Sequence, residues 1–301
     1  MTALKVNLQT LFMMNKILKP WFLGNPYLLV RAFLFEMGVK PRGWSWVKTC
    51  FSLPIYCDIS KTIGRAIYKN GVYELPSSEL VWRLLKDKPN ALFVDVGANV
   101  GYYSLLAIRR LGKDGAVISF EPLPSLHEKL IMNSKGMNIE AHQCAVSCSN
   151  GQAKLSVPRG SESNDGISTL QDCDDTIDSI TVQTIRLDDF INREIYVLKI
   201  DVEGHEYSAL LGAKDLLARG AIRNIIFEDH NIEHSDVVTL LIDVGYSIFS
   251  IGWDLRGLIL RPLGAPNSSY VKDAPNFIAT LDCSNLEAAT RLTGWSVLRG
   301  V

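Results

Sequence analysis

The sequence predicts an α/β fold built on a doubly wound, mostly parallel sheet, and three observations carry that expectation. From Ala91 onward, apolar strand-like runs alternate with helical spacing, the order that lays parallel strands beneath helices on both faces. The first run, Ala91-Leu92-Phe93-Val94, ends in Asp95 and a Gly97-Ala98-Asn99-Val100-Gly101 turn, which leads into helical spacing from Tyr102 to Leu111. Strand, glycine turn and helix in that order bring backbone N–H groups and a helix N-terminus up to a nucleotide-like ligand. Acidic residues then recur where later strands end, at Glu121, at Asp201–Glu206 and at Glu228–Asp229. An open α/β sheet holds its ligand crevice at that edge.

Length and composition bound the rest. A chain of 301 residues with 47% apolar and 21% charged residues buries a core of ordinary size. A net charge of −1 gives no electrostatic ground for nucleic acid as the main partner. The six cysteines form no C-x-x-C pair and no zinc-ligand spacing, which predicts reduced thiols in a cytoplasmic protein.

In chain order, residues 1–64 read as a mainly helical accessory extension, with helices over the first fifty residues broken at Pro20, Pro26 and Pro41. Leu11–Val30 is interrupted too often to span a membrane. Its mixture of Lys16, Lys19, Trp21, Phe22, Tyr27, Arg31 and Phe33 suits a packed accessory helix, or a peripheral membrane or partner contact. Residues 65–301 form the main domain. Arg65–Tyr68 and Val72–Glu74 around Asn70-Gly71 predict a hairpin, and Ser77–Glu79 predicts the start of a helix over Leu80–Leu85. Strands follow at Ala116–Phe120, Ile139–Cys144, Tyr196–Ile200, Asn224–Phe227, Tyr246–Ile251 and Phe277–Leu281. Helices are predicted at Pro124–Ser134, at Glu206–Arg219 and from Ser235 to Val244. Ala153–Val157 and Ile180–Arg186 are strand-like and flank a polar loop, 158–178. That loop and 252–276 are the expected acceptor loops.

Three clusters carry chemistry. Glu121, one βαβ unit beyond the glycine turn, is placed to accept the hydroxyls of a ribose. Asp201, Glu203, His205 and Glu206 crowd the end of an apolar strand, with Gly204 allowing a sharp turn. His230 and His234 have helical i, i+4 spacing, but no third ligand is fixed by spacing, so no metal is expected.

Asp95-Val96-Gly97-Ala98-Asn99-Val100-Gly101-Tyr102-Tyr103-Ser104, Phe120-Glu121-Pro122, Leu187-Asp188-Asp189-Phe190 and Lys199-Ile200-Asp201-Val202-Glu203-Gly204-His205-Glu206 together resemble the FkbM-type methyltransferases, in order and spacing, over roughly residues 65–280. The resemblance implies a class I, Rossmann-like methyltransferase fold, a seven-stranded sheet whose last strand is antiparallel. It implies S-adenosyl-L-methionine as cofactor and O-methylation of a hydroxyl on a sugar, glycolipid, polysaccharide or secondary metabolite. Cofactor contacts are then expected from Asp95, Gly97, Asn99, Gly101 and Tyr102 at the turn, from Glu121 and Pro122 at the ribose, from Ala145 beside the adenine, and from Asp201. Glu203 and His205 lead as bases for the acceptor hydroxyl, with Asp201 and His230 behind them. The competing readings are a nicotinamide-type oxidoreductase, which would favour G-x-G-x-x-G, and a non-catalytic scaffold of the same fold.

Overall fold

The structure is a computed structural model and describes residues 26–39, 41–158, 177–254, 257–265 and 276–300. Residues 159–176 of the polar loop and much of the second acceptor loop therefore lie outside the described residues, as do the bases and aromatics before Pro26. The chain forms two compact units, one of residues up to Glu74 with Trp295–Val301, the other Leu75–Gly294. The expected boundary after residue 64 falls inside a helix of the first unit.

In that first unit, helix α1 (Pro26–Glu36) precedes an antiparallel hairpin, β1 (Trp44–Lys48) with β2 (Pro54–Asp58), and helix α2 (Thr62–Asn70). The hairpin replaces part of an expected helical stretch. Period-two alternation explains it: Val47 points inward while Trp46 and Lys48 are exposed. The hairpin expected around Asn70-Gly71 is instead the end of α2. Gly71, at φ 73°, donates its N–H to the Ile67 carbonyl and stops the helix. A glycine that favours positive φ serves a hairpin turn and a helix C-terminus equally well, so the local signal is ambiguous.

The second unit opens with α3 (Leu75–Leu84), which begins earlier than expected, with Pro76 in its first turn. Next come β3 (Leu92–Val96), α4 (Tyr102–Leu111), β4 (Ala116–Phe120), α5 (Pro124–Asn133) and β5 (Ile139–His142). β6 (Ala145–Val146), β7 (Gly151–Pro158) and β8 (Ile177–Ile185) form a separate three-stranded sheet in the order β6-β8-β7. The third predicted strand therefore stops at His142, and Ala145 belongs to the small sheet, opposite Thr184. After α6 (Leu187–Phe190) come β9 (Ile195–Ile200), α7 (Glu206–Leu211), α8 (Lys214–Ala218), β10 (Ile222–Glu228), α9 (Asp236–Asp243), β11 (Ser247–Asp254), β12 (Gly257–Pro262), β13 (Asn276–Thr280) and α10 (Cys283–Thr290).

The main sheet runs β12-β11-β13-β10-β9-β3-β4-β5, with β10, β9, β3, β4 and β5 parallel and β13 antiparallel to both its neighbours. It holds the seven expected strands and one more: β12, which pairs with β11 at the edge inside an expected loop. The fold is the doubly wound α/β architecture read from the sequence. On one face Leu92, Val94, Val96, Leu198, Ile225 and Phe227 pack against α7, α8 and α9. Phe93, Val197 and Ile226, which alternate with them, are buried on the other, where α4 lies on β3 and β4 and packs against α3.

One helix expected over Glu206–Arg219 is two, and the break at Gly212-Ala213 has a physical cause. A Cβ on Gly212 would lie 2.0 Å from the Ser147 carbonyl oxygen, so the chain passes the small sheet at a contact only glycine permits. The restarted helix is capped from a distance. The buried Asp188 carboxylate accepts the N–H groups of Asp215 (3.0 Å) and Leu216 (2.9 Å) and pairs with Arg186 at 3.0 Å.

α3 holds a fully buried ion pair, Arg83 Nε to Glu79 Oε1 at 2.6 Å. The same guanidinium donates to the carbonyls of Ala289 (2.9 Å), Leu292 (2.7 Å) and Gly294 (2.7 Å), closing the chain end of this unit against α3. Arg83→Met removes the ion pair and the three carbonyl contacts in one step and leaves the buried Glu79 carboxylate without its guanidinium. The expected loss is about 3–5 kcal/mol, read from urea unfolding. Glu79→Leu combined with Arg83→Met is expected to recover part of it, because the buried charge that lost its counter-ion goes too.

Candidate active site

Because β3, β4, β9 and β10 are parallel, their carboxyl ends share one edge, and the chemistry-bearing residues gather there. The turn after β3 depends on its glycines: Gly97 (φ 80°), Asn99 (52°) and Gly101 (88°) are all left-handed. A Cβ on Gly97 would sit 1.9 Å from the Asp201 carbonyl oxygen, and one on Gly101 would sit 2.6 Å from Leu130 Cδ1. The sequence order predicts turn N–H groups that face a ligand; the structure turns them inward. Gly97 and Ala98 both donate to the Phe120 carbonyl at 3.0 Å, Asn99 to Glu121 Oε2 at 2.8 Å, Val100 to its neighbour's Asn99 Oδ1 at 2.8 Å, and Gly101 to the Ala98 carbonyl at 2.8 Å. The turn therefore locks the ends of β3 and β4 together and forms no anion cradle.

Glu121 is buried at the end of β4, its two carboxyl oxygens held by the Asn99 and Leu123 N–H groups. Desolvation pushes its pKa up to about 7, against the pull of those two hydrogen bonds. Each oxygen keeps a second lone pair for a ligand hydroxyl. Asp95, fully buried on the strand beside it, accepts from the Ser104 hydroxyl at 2.5 Å through Oδ2, and Ser104 lies 2.8 Å from Ser119. Asp95 Oδ1 is buried with no hydrogen-bond partner, and burial raises the carboxyl's pKa. An acceptor left in that state fits a ligand donor such as an ammonium group.

Facing this turn is the acidic corner at the end of β9. The Asp201 N–H donates to the Val96 carbonyl at 3.0 Å, so the two strand ends are tied directly. Lys199, buried and in register with Asp95, holds Asp201 Oδ2 at 2.8 Å and lies 4.5 Å from the centre of the Tyr103 ring. Glu206 is structural: its Oε1 accepts the N–H groups of Val202 (3.1 Å) and Gly204 (3.3 Å), which fixes the turn between β9 and α7. That turn holds Glu203 at φ 51°, a costly conformation for a glutamate. Partial desolvation, then Asp201, Glu228 and Glu206, pushes the Glu203 carboxyl up to about 7. The residue as a whole is exposed. His205 places Nε2 3.0 Å from the Ser147 hydroxyl, and burial lowers its pKa, leaving the imidazole neutral at neutral pH.

The sequence model of the "Methyltransferase FkbM domain" matches residues 95–248, just over half of the chain and the whole of this site. The chain belongs to the FkbM methyltransferase family. It is 24% identical to the hexuronic acid methyltransferase AglP of Haloferax volcanii over 213 residues, covering 66% of this chain and 85% of that one. It is 28% identical to the 31-O-demethyl-FK506 methyltransferase FkbM of Streptomyces tacrolimicus over 196 residues, covering 54% and 74%. Among solved structures, an FkbM methyltransferase from Methylobacillus flagellatus aligns at 18% identity and a TM-score of 0.40, covering 54% of this chain and 40% of that one.

Within this FkbM-family site the expected residues separate by position. Asp95, Gly97, Asn99, Glu121, Asp201 and Glu203 converge on the one edge. Tyr102 turns its hydroxyl to Ser78 at 3.0 Å and is buried among the helices. Pro122 directly follows Glu121, and Ala145 is buried in β6, two residues from the Ser147 that meets His205. His230 is 75% exposed and reaches the corner only through Glu228, at 2.9 Å. Lys199, Ser147 and Glu228 complete the corner without having been singled out as site residues. Lys199 lies inside a quoted motif, but its burial and pairing are tertiary facts. Among the described residues no group of three or more His, Cys, Asp or Glu is placed to hold a metal ion.

Proposed function

We propose that this chain is an S-adenosylmethionine-dependent O-methyltransferase acting on a hydroxyl of a sugar or polyhydroxylated metabolite. The observation that carries the reading is the charge of the site. Asp95 and Asp201 flank a turn whose N–H groups are spent within the protein, and Glu203 and Glu228 extend the acidic edge from Asp201. An acidic edge without free turn donors suits a cationic cofactor and opposes a pyrophosphate, which wants those donors. When bound, S-adenosylmethionine supplies an electrophilic methyl group on a sulfonium. Asp95 Oδ1 would take a hydrogen bond from the cofactor's amino group, Glu121 would hold the ribose hydroxyls, and Asp201, anchored by Lys199, would fix the opposite wall. Glu203 would orient the acceptor hydroxyl and take its proton, with the neutral His205 beside it.

The acceptor class is supported by two relatives, a hexuronic acid methyltransferase and a 31-O-demethyl-FK506 methyltransferase. The free, exposed thiols Cys148 and Cys283 support a reducing cytoplasmic setting. Titration calorimetry with S-adenosylmethionine, S-adenosylhomocysteine and NAD tests the reading. Heat is expected with the first two and none with NAD. Binding of NAD alone would turn the assignment to an oxidoreductase, and binding of none would leave a scaffold.

A further inference from the structure

We propose that the N-terminal unit docks on an anionic membrane surface, through an apolar stripe on α1 and the aromatic, basic face of the β1–β2 hairpin. α1 is apolar on two opposite faces. Leu28, Ala32 and Phe35 are buried, Phe35 lies against Tyr68 of α2 at 5.8 Å between ring centres, and Arg31 donates to the Ile67 carbonyl at 3.1 Å. Val30, Phe33, Leu34 and Met37 follow i, i+3, i+4, i+7 spacing on the other side, and they are exposed, Phe33 by 44% and Met37 by 63%. A helix apolar all round calls for cover on both faces. Its only charged residues are accounted for, since Arg31 is buried and Glu36 pairs with Lys69. The hairpin repeats the chemistry: Trp46 is 56% exposed, Trp44 and Trp46 both lie against Tyr56, and Lys48 follows on the same face. Indole with a neighbouring base is the side-chain pairing that sits at a bilayer interface.

Charge selects the occupant. Residues 1–74 hold ten Lys and Arg against three acids, Glu36, Asp58 and Glu74, while the other 227 residues hold 21 against 29. No acid occurs before Glu36. The near-neutral total hides a strongly basic unit, with Arg42, Lys48 and Arg65 exposed in the structure. An anionic leaflet complements both the apolar and the basic features. A second copy would set two basic surfaces against each other. Among the described residues no helix is long and apolar enough to cross a membrane.

Flotation of the full chain with phosphatidylcholine vesicles, with and without about one-third phosphatidylserine, tests the proposal. Binding to the anionic vesicles is expected to be at least about tenfold tighter and to fall steeply as salt is raised. Phe33→Glu with Met37→Glu is expected to abolish it while heat on titration with S-adenosylmethionine is kept. Reversing Arg42, Lys48 and Arg65 to Glu is expected to weaken it roughly a hundredfold, and decides the matter if the apolar variant does not fold. Equal flotation with both vesicle types overturns the proposal. So does a wild-type dimer that floats with neither and becomes monomeric in the Phe33/Met37 variant, since the stripe would then be a self-association face.

Discussion

Gly97→Val is expected to abolish binding of S-adenosylmethionine, with no heat in a titration that gives a clear isotherm for the wild type. Two separate penalties meet at this residue. Its φ of 80° is a conformation that β-branched side chains avoid, and its Cβ would fall 1.9 Å from the Asp201 carbonyl oxygen. The obstacle is backbone, so no rotamer relieves it. The Asp201 peptide has to move, and with it the bond from its N–H to Val96 that ties β9 to β3. The Gly97 and Ala98 bonds to Phe120 share that turn, so the position of Glu121 is disturbed as well. Gly136 gives the control, since its φ is 77° and nothing lies within 4 Å of the position a Cβ would take. Gly136→Val carries the dihedral strain without the clash and is expected to bind normally. Circular dichroism separates a folded Gly97 variant that has lost its site from an unfolded one. Normal binding by folded Gly97→Val would sink the proposed cofactor site.

The contrast between those two glycines shows what the sequence made legible. Gly97 stands out because strand, turn and acid surround it, and the same local order gives the central strands, whose five β3 residues are all buried. Parallel core strands are continuous apolar runs, so they can be read from a short window. Amphipathic edge elements cannot be read so easily. Trp44–Lys48 alternates over only five residues, and β12 holds Arg261 and Pro262 in a stretch that reads as loop. Long-range contacts are less legible still. Ser147 meets His205 across 58 positions, and Asp188 caps a helix 27 and 28 positions further on. In Leu187-Asp188-Asp189 a family motif was visible, while its task, restarting a helix after Gly212, emerges only from packing. The spent N–H groups of the glycine turn are the opposite case. Their spacing is right for a ligand cradle, and only the geometry shows that β4 has taken the donors.

Glu203→Gln is expected to lower turnover by about a hundredfold or more while S-adenosylmethionine binds within a few-fold of wild type. The isostere keeps the size of the side chain and the φ of 51° that aims it, and removes only the ability to take a proton. The pH profile distinguishes this from a positioning role. With its pKa pushed up to about 7 by desolvation and by Asp201, Glu228 and Glu206, the free-enzyme carboxyl is protonated below that pH and cannot act as a base. Wild-type kcat/KM is therefore expected to rise with pH through about 7, and this limb is expected to vanish in the variant. A sulfonium bound beside the carboxylates would favour ionisation, so the limb in kcat is expected at lower pH than in kcat/KM for the cofactor. His205→Asn completes the comparison. Its neutral imidazole, paired with Ser147, would titrate below its ordinary range, so its loss should lower turnover while the limb near 7 stays. A Glu203→Gln enzyme with wild-type turnover, or one that keeps the limb, would move the base to His205 or Asp201 and leave the strained glutamate as part of the cofactor's electrostatic wall.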